Sequence, residues 1–186
     1  MRSKSLGNLS RDEIHRVIYM AVLGSEEIMN LLRSIPPLLE NVDEKNVQPS
    51  GVDLRVKRIY RLKNSGNLGI ERRKTPEVEV LCEGIGSKYI LKPNEFVLIE
   101  TIEKVNMPNN LSAIILPRSS LFRCGVSLHT AVVDPGFKGT LTFGMKNLGE
   151  FPFEIEIGAR IGQIVFKEVK GNVKLYDGKY QGGRVT

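Results

Sequence analysis

The sequence predicts a mainly β domain, a sandwich or barrel, with a short helix near its N-terminus. Two patterns carry that expectation. Short apolar runs alternate with polar residues at period two, as half-buried strands do. They recur about every 8–12 residues with turn residues between them. Helical spacing, by contrast, is confined to the stretch before Pro36-Pro37.

Size and composition fit such a domain. The chain has 186 residues, enough for one domain with a real core. Hydrophobic residues make up 41% and charged residues 26%, ordinary values for a globular protein. The net charge is +6 and the pI about 9.4. A basic balance suits nucleic acid or a polyphosphate substrate. No Lys/Arg run is interleaved with aromatics, and there are only 7 Phe, 5 Tyr and no Trp, so nucleic acid is the weaker partner. Two cysteines, Cys82 and Cys124, and two histidines, His15 and His129, give no zinc spacing. No apolar run reaches the 18 or so residues of a membrane span. His15 and Arg16 interrupt the only candidate for a signal peptide core, so a cytoplasmic protein is expected.

The elements follow in order. Ile14, Val17, Ile18 and Ala21 have helical spacing after Ser10, which predicts a short surface helix. Ser25 is placed to cap a second helix, with Glu26 and Glu27 in its first turn, where negative charge suits the dipole. Ile28, Leu31 and Leu32 form its apolar face, and Pro36-Pro37 stops it. Val52-Asp53-Leu54-Arg55-Val56 alternates as a strand. Residues 64–74 are rich in Gly, Asn and charge and read as a loop or hairpin tip. Residues 76–82, 89–91, 96–99 and 111–116 read as strands, with turns at Lys92-Pro93-Asn94-Glu95 and Met107-Pro108-Asn109-Asn110. Residues 140–143 and 153–157 alternate cleanly, and Gly158 turns the chain into a strand over residues 160–167. Residues 173–186 form a Gly-rich, basic tail, read either as a lid or as a frayed terminus.

Chemistry concentrates between Pro117 and Asn147. Arg118, Ser119 and Ser120 offer a guanidinium fork and two hydroxyls, which suit phosphate oxygens. Arg123 lies within reach after one turn. The alternative is a solvated basic turn. Asp134 precedes Pro135-Gly136, a strong turn signal. It is either a turn cap or a general base at the lip of a β-scaffold. Gln163 is either a satisfied core amide or a catalytic group, and Asp53 either a strand-edge residue or a polar support.

Arg118-Ser119-Ser120-Leu121, Arg123 and Asp134-Pro135-Gly136-Phe137-Lys138-Gly139 resemble the core of the trimeric dUTPase and dCTP deaminase superfamily. Gln48-Pro49-Ser50-Gly51-Val52-Asp53-Leu54-Arg55-Val56 is similar to its first motif, and Gly158-Ala159-Arg160-Ile161-Gly162-Gln163-Ile164-Val165-Phe166 to its fourth. Tyr176 and Gly178-Lys179-Tyr180-Gln181-Gly182 resemble the tail of the deaminase-like branch. The resemblance runs from about Met20 onward, so residues 1–19 read as an extension and residues 20–186 as one domain with residues 173–186 as a flexible lid.

The resemblance implies a distorted jelly roll and a homotrimer, or a dimer of trimers, with sites at subunit interfaces. It implies dUTP as substrate, Mg²⁺ held mainly by the substrate phosphates, and water attack at the α-phosphorus. Asp134 and Gln163 would be catalytic, Asp134 as base, as partner of the deoxyribose 3′-hydroxyl, or as both. Arg118, Ser119, Ser120, Arg123, Lys179 and Arg184 would meet the phosphates. Thr142, Phe143 and Gly144 would meet the base edge, Tyr176 and Gln181 would close over the nucleotide, and Asp53 would support the phosphate site. Two departures stand out. The deaminases carry a proton-shuttling glutamate ten residues after the Asp-Pro-Gly aspartate, where this chain has Gly144. The deaminase-like tail often has Gln where this chain has Gly183. The branch resembled is therefore that of the archaeal dUTPases. Deamination of dCTP, alone or combined with hydrolysis, and non-catalytic nucleotide binding are the alternatives.

Overall fold

The computed structural model describes residues 21–186. The helix expected from Ile14, Val17 and Ile18 and the boundary at Met20 lie outside the described residues. Helix α1 (Ser25–Leu32) buries Ile28, as its spacing predicts. Ser25 does not cap it. Gly24 holds the cap position in extended conformation with no side-chain cap among the described residues, and Ser25 is the first helical residue. The Ser25 N–H, one of the free donors of the first turn, donates to the Pro49 carbonyl at 3.1 Å.

The rest is antiparallel sheet. Its strands are β1 (Leu39–Glu40), β2 (Val47–Gln48), β3 (Gly51–Leu62), β4 (Asn67–Leu68), β5 (Arg73–Lys74), β6 (Val78–Glu83), β7 (Lys88–Leu91), β8 (Phe96–Asn106), β9 (Leu111–Pro117), β10 (Val126–His129), β11 (Val132–Val133), β12 (Lys138–Asn147), β13 (Phe153–Glu156) and β14 (Arg160–Glu168). The main sheet runs β10-β12-β8-β3-β14-β9-β11, with β1 on β8 and both β2 and β6 on β3. β7 pairs with β13. β4 and β5 form the hairpin expected over residues 64–74.

β3 is common to both halves of this sheet. Its first half pairs with β14, Asp53 opposite Gln163, and its second half with β8 and β6, Tyr60 opposite Leu98 and Val80. Bulges interrupt its register with all three strands, and bulged strands bend. The core collects there: Val52, Leu54, Val56 and Ile59 of β3 bury with Ile99, Met145, Ile161, Ile164 and Phe166.

Three carboxylates are buried with them, Asp53, Glu100 and Glu103. Glu103 accepts from the Arg55 N–H at 2.8 Å and from Arg55 Nε at 2.7 Å. Glu100 accepts from the Tyr60 hydroxyl at 2.6 Å and from Lys57 at 2.9 Å. Burial pushes the Glu100 carboxyl up, but the bonds from Tyr60 and Lys57 outweigh it and hold the group below its ordinary value. Burial, reinforced by the bond to Glu100, pushes the Tyr60 hydroxyl up to about 12.

Candidate active site

Two clusters of the expected residues form, and they are separate within one chain. The first sits where β3, β14 and β9 meet. Asp53 is 4% exposed, in a central strand and not at an edge. Its Oδ2 accepts from Arg160 Nη1 at 3.1 Å and lies 3.6 Å from Arg118 Nη1. Two guanidiniums on one carboxylate leave the cluster with a net positive charge. That is the electrostatic character of an anion site. Gln163 neighbours Asp53 across the β3 ladder and Leu116 across the β9 ladder. Arg118 is fixed by its main chain, its N–H donating to the Ile161 carbonyl at 3.0 Å. It then caps the one-turn helix α2 (Ser119–Arg123), which leaves the Ser119 and Ser120 side chains exposed beside it. The Arg123 guanidinium carbon lies 5.8 Å from the centre of the Phe122 ring. Arg160 is absent from the residues expected at the site. Its motif was visible, but its contact with Asp53 spans 107 positions and depends on the β3–β14 register.

The second cluster lines a cavity of about 600 Å³ whose wall includes Asp134, Thr142, Phe96, Tyr176, Tyr180 and Arg184. Asp134 follows the buried Val133 of β11. Its carbonyl closes the turn by accepting from the Phe137 N–H at 3.2 Å. The turn continues through Gly136 at φ +82°. The carboxylate takes no part in the turn and has no hydrogen-bond partner among the described residues. It is exposed at the cavity wall, which is where a base must be.

The tail packs on this same turn. The Tyr176 N–H donates to the Pro135 carbonyl at 2.8 Å, and the Tyr176 ring meets Phe137 edge-on at 5.5 Å. Gln181 Nε2 donates to the Gly136 carbonyl at 3.0 Å, while Gln181 Oε1 accepts from the Lys138 N–H at 2.8 Å. Gln181, expected at the nucleotide, here binds the tail to the turn. Lys179 donates to Thr75 at 2.7 Å and is not part of the cavity wall. Tyr176 and Arg184 do line the cavity, as does Tyr180, which lies inside the recognised tail motif.

The departure at Gly183 has a physical reason. Its φ is +80°, and a Cβ there would lie 2.5 Å from Thr140 Oγ1 and 2.6 Å from the Thr140 nitrogen. Only glycine lets the tail lie this close to β12.

Between the tail and β10, one short stretch of β12 has an edge left unpaired among the described residues. The tail covers Lys138 and Thr140 on that side, and β10 ends at His129, opposite Gly144. Leu141 turns its N–H the other way, to Thr101 Oγ1 at 3.0 Å. Main-chain direction alternates along a strand. The Thr142 N–H and C=O therefore point into the gap, on the edge shared with Thr140 and Gly144. The Thr142 hydroxyl is buried and has no hydrogen-bond partner among the described residues. Phe143 buries its side chain in the core, so only its main chain is available to a ligand.

Gly144 is walled in. A Cβ on it would lie 2.8 Å and 2.9 Å from two ring carbons of Phe96 and 3.3 Å from the His129 Cβ. The volume that a side chain at 144 would need is filled by the Phe96 ring. Phe96 was legible as a strand residue only. The contact depends on the ladder that sets Leu98 opposite Gly144.

Asp134 and Gln163 do not share a water within one chain. Val133 stands opposite Ala113 and Gln163 opposite Leu116, on strands flanking β9. At about 3.3 Å per residue and about 4.8 Å per strand, they are roughly 15 Å apart. Among the described residues no group of three or more His, Cys, Asp or Glu is placed to hold a metal ion. No helix among the described residues is long and apolar enough to cross a membrane.

Comparison with known proteins agrees with this architecture. The family described as dCTP deaminase-like matches residues 22–169. The chain is 41% identical over 138 residues, 74% of its length and 89% of the relative's, to a probable deoxyuridine 5′-triphosphate nucleotidohydrolase of Methanothermobacter thermautotrophicus. It is 32% identical over 145 residues, 77% of its length and 92% of the relative's, to the deoxyuridine 5′-triphosphate nucleotidohydrolase of Methanocaldococcus jannaschii. It is 33% identical over 172 residues, 88% of its length and 85% of the relative's, to a dCTP deaminase of Halorubrum lacusprofundi. Among solved structures, the 2′-deoxycytidine 5′-triphosphate deaminase of Agrobacterium tumefaciens shares the fold with a TM-score of 0.63 at 22% identity, over 79% of this chain and 48% of that one. Sequence and fold agree, and the chain belongs to the dCTP deaminase-like family.

Proposed function

We propose that the chain hydrolyses dUTP to dUMP and pyrophosphate, and that it does not deaminate dCTP. The observation that carries the choice is the Phe96 ring against Gly144. Water attack at cytosine C4 needs a proton carrier beside it. Position 144 has no side chain, and its space is taken. The free edge at Thr142 offers a main-chain donor and acceptor, which uracil can meet with O4 and N3–H. The relatives named as nucleotidohydrolases of deoxyuridine triphosphate agree with this reading.

The complete site needs more than one copy, because Asp134 and the Asp53–Arg118–Gln163 cluster are apart within the chain. A homotrimer, or a dimer of trimers, would set one copy's Asp134 cavity against a neighbour's cluster. Arg118, Ser119 and Ser120 then hold the phosphates, and Gln163 and Asp134 orient the attacking water. Asp134 takes its proton as oxygen bonds to the α-phosphorus and pyrophosphate departs. The same carboxylate lies within reach of the deoxyribose. Arg184, at the cavity wall, adds charge as the transition state forms. Mg²⁺ brought in on the substrate phosphates would supply charge neutralisation for the leaving group.

The test is product analysis. Purified protein with Mg²⁺ and dUTP should give dUMP and pyrophosphate, and dCTP should come through unchanged. Any dUTP or dUMP from dCTP overturns the assignment. Binding of both nucleotides without turnover replaces it with a regulator.

A further inference from the structure

The hairpin of β4 and β5 buries nothing. Every residue from Arg61 to Lys74 is exposed, and the ladder is two residues long, Asn67 opposite Lys74 and Leu68 opposite Arg73. Its root is nonetheless fixed. The Lys63 N–H donates to the Glu77 carbonyl at 2.8 Å, and the Glu77 N–H donates to Asn64 Oδ1 at 2.9 Å. Leu62, Thr75 and Pro76, beside that root, form part of the cavity wall. The tail is tied to the same place by Lys179, which donates to Thr75 at 2.7 Å. The hairpin therefore stands on the rim of the cavity.

Its charge is one-sided. Lys63, Arg72, Arg73 and Lys74 outnumber Glu71 and Glu77. Arg72, Arg73 and Lys74 are exposed and enter no ion pair among the described residues. Arg58 and Arg61 nearby are paired, with Glu83 and Glu79. Three consecutive unpaired cations on an element without a core repel one another and add nothing to packing. They follow one another back from Thr75, so along an extended chain they lie within about 10 Å of the wall. That is about one Debye length at 0.1 M salt, so their field reaches the cavity. The side chains of the wall itself are close to neutral, with Arg184 set against Asp134.

We propose that the hairpin is an electrostatic guide. Arg72, Arg73 and Lys74 draw the polyphosphate of a nucleotide to the cavity mouth and raise its association rate, without holding it once bound. This rests on the reading that the cavity takes a nucleoside triphosphate, and it assigns the surface that collects it. Charge complementarity fixes the partner. A compact anion of several charges gains from three clustered cations, and an uncharged nucleoside gains nothing.

The experiment measures association and dissociation of the non-hydrolysable α,β-imido analogue of dUTP by stopped flow, at fixed Mg²⁺ and varied salt. Tyrosine emission reports binding, since Tyr176 and Tyr180 line the cavity and the chain has no Trp. In the triple variant Arg72→Gln, Arg73→Gln, Lys74→Gln, association should slow about three- to tenfold at about 20 mM salt. The difference should close to within about twofold at about 0.5 M salt. Dissociation, and kcat for dUTP, should stay within about twofold of wild type, because the bound nucleotide does not touch the hairpin. The double variant Arg72→Lys, Arg73→Lys keeps the charge and should associate as wild-type protein does. The proposal is overturned if the triple variant associates at the wild-type rate at low salt, or if its loss appears in dissociation or persists at high salt. It is also overturned if the charge-keeping variant loses as much. Turnover of dUTP by wild-type protein is scored separately. Its absence with the analogue still bound removes the hydrolase reading, and the association rates still judge the hairpin. Failure to bind the analogue overturns both.

Discussion

Asp53 accepts a 3.1 Å hydrogen bond from Arg160, and the carboxylate that does so is almost wholly out of water. Arg118 stands 3.6 Å from the same oxygen. Asp53 thus holds Arg160 of β14 and Arg118, at the cap of α2, in one place. Removing Arg160 leaves a buried carboxylate with a single, longer contact. Breaking a fully buried pair costs about 3–5 kcal/mol. The Arg160 side chain is 41% exposed, so solvent screening reduces this to about 1–2 kcal/mol. Arg160→Met should lower the thermal midpoint by a few degrees and raise KM for dUTP more than it lowers kcat. An unchanged midpoint in a thermal melt would show that Arg118 alone satisfies Asp53.

Asp134→Asn keeps the shape of the turn, because the Asp134 carbonyl closes it and the carboxylate does not. Loss of a general base typically costs about 10²–10⁴ in rate. Single-turnover hydrolysis of dUTP should fall by that much while nucleotide affinity changes only a few-fold. Undiminished turnover would remove Asp134 from the chemistry.

Gln181 joins the tail to the Asp134 turn with both ends of its amide. Each such bond contributes about 1 kcal/mol net. Gln181→Ala should therefore loosen residues 173–186 by an order of magnitude or more in local opening. Hydrogen exchange at the Gly182 amide, which donates to the Lys138 carbonyl, reports this directly. Exchange as slow as in wild-type protein would mean that the glycines alone hold the tail.

Tyr60 and Glu100 contribute to stability at the two ends of the pH range. The Glu100 carboxyl is held below its ordinary 4.5, so its stabilisation is present above that pH and is lost as pH falls through the lower folded value. The Tyr60 hydroxyl, ordinarily near 10, is raised to about 12. Its stabilisation is full below pH 10 and is lost as pH rises through 12. Urea midpoints across that alkaline window should fall for wild-type protein and stay flatter for Tyr60→Phe. Parallel curves would assign the alkaline loss to other groups.

Much of this was legible in the sequence, because the signals were local. The alternation over residues 140–143 and the proline-glycine turn after Asp134 depend on neighbours one to three positions away, and both appear where expected. The strands themselves run further than their clearest apolar stretches. β8 continues from residue 99 to Asn106, since buried Thr101 and Glu103 find partners that no local pattern announces. The site was legible as motifs and illegible as contacts. Asp53 reads as half-exposed from its alternating neighbours, yet β3 has ladder partners and packing around it that bury it. Phe143 reads as a candidate for the base, yet strand parity turns its side chain into the core. The Phe96 ring over Gly144 joins residues 48 positions apart and follows only from the β8–β12 register.

The sharing of β3 between the two halves of the sheet bears on how the chain folds. Neither half owns a complete set of neighbours, so neither is a viable fragment. Cleavage or a helix-favouring insertion within β3 would abolish native structure throughout, with no intermediate that keeps one half. Fluorescence, circular dichroism and exchange at core amides should then report one common transition, the mark of a single cooperative unit.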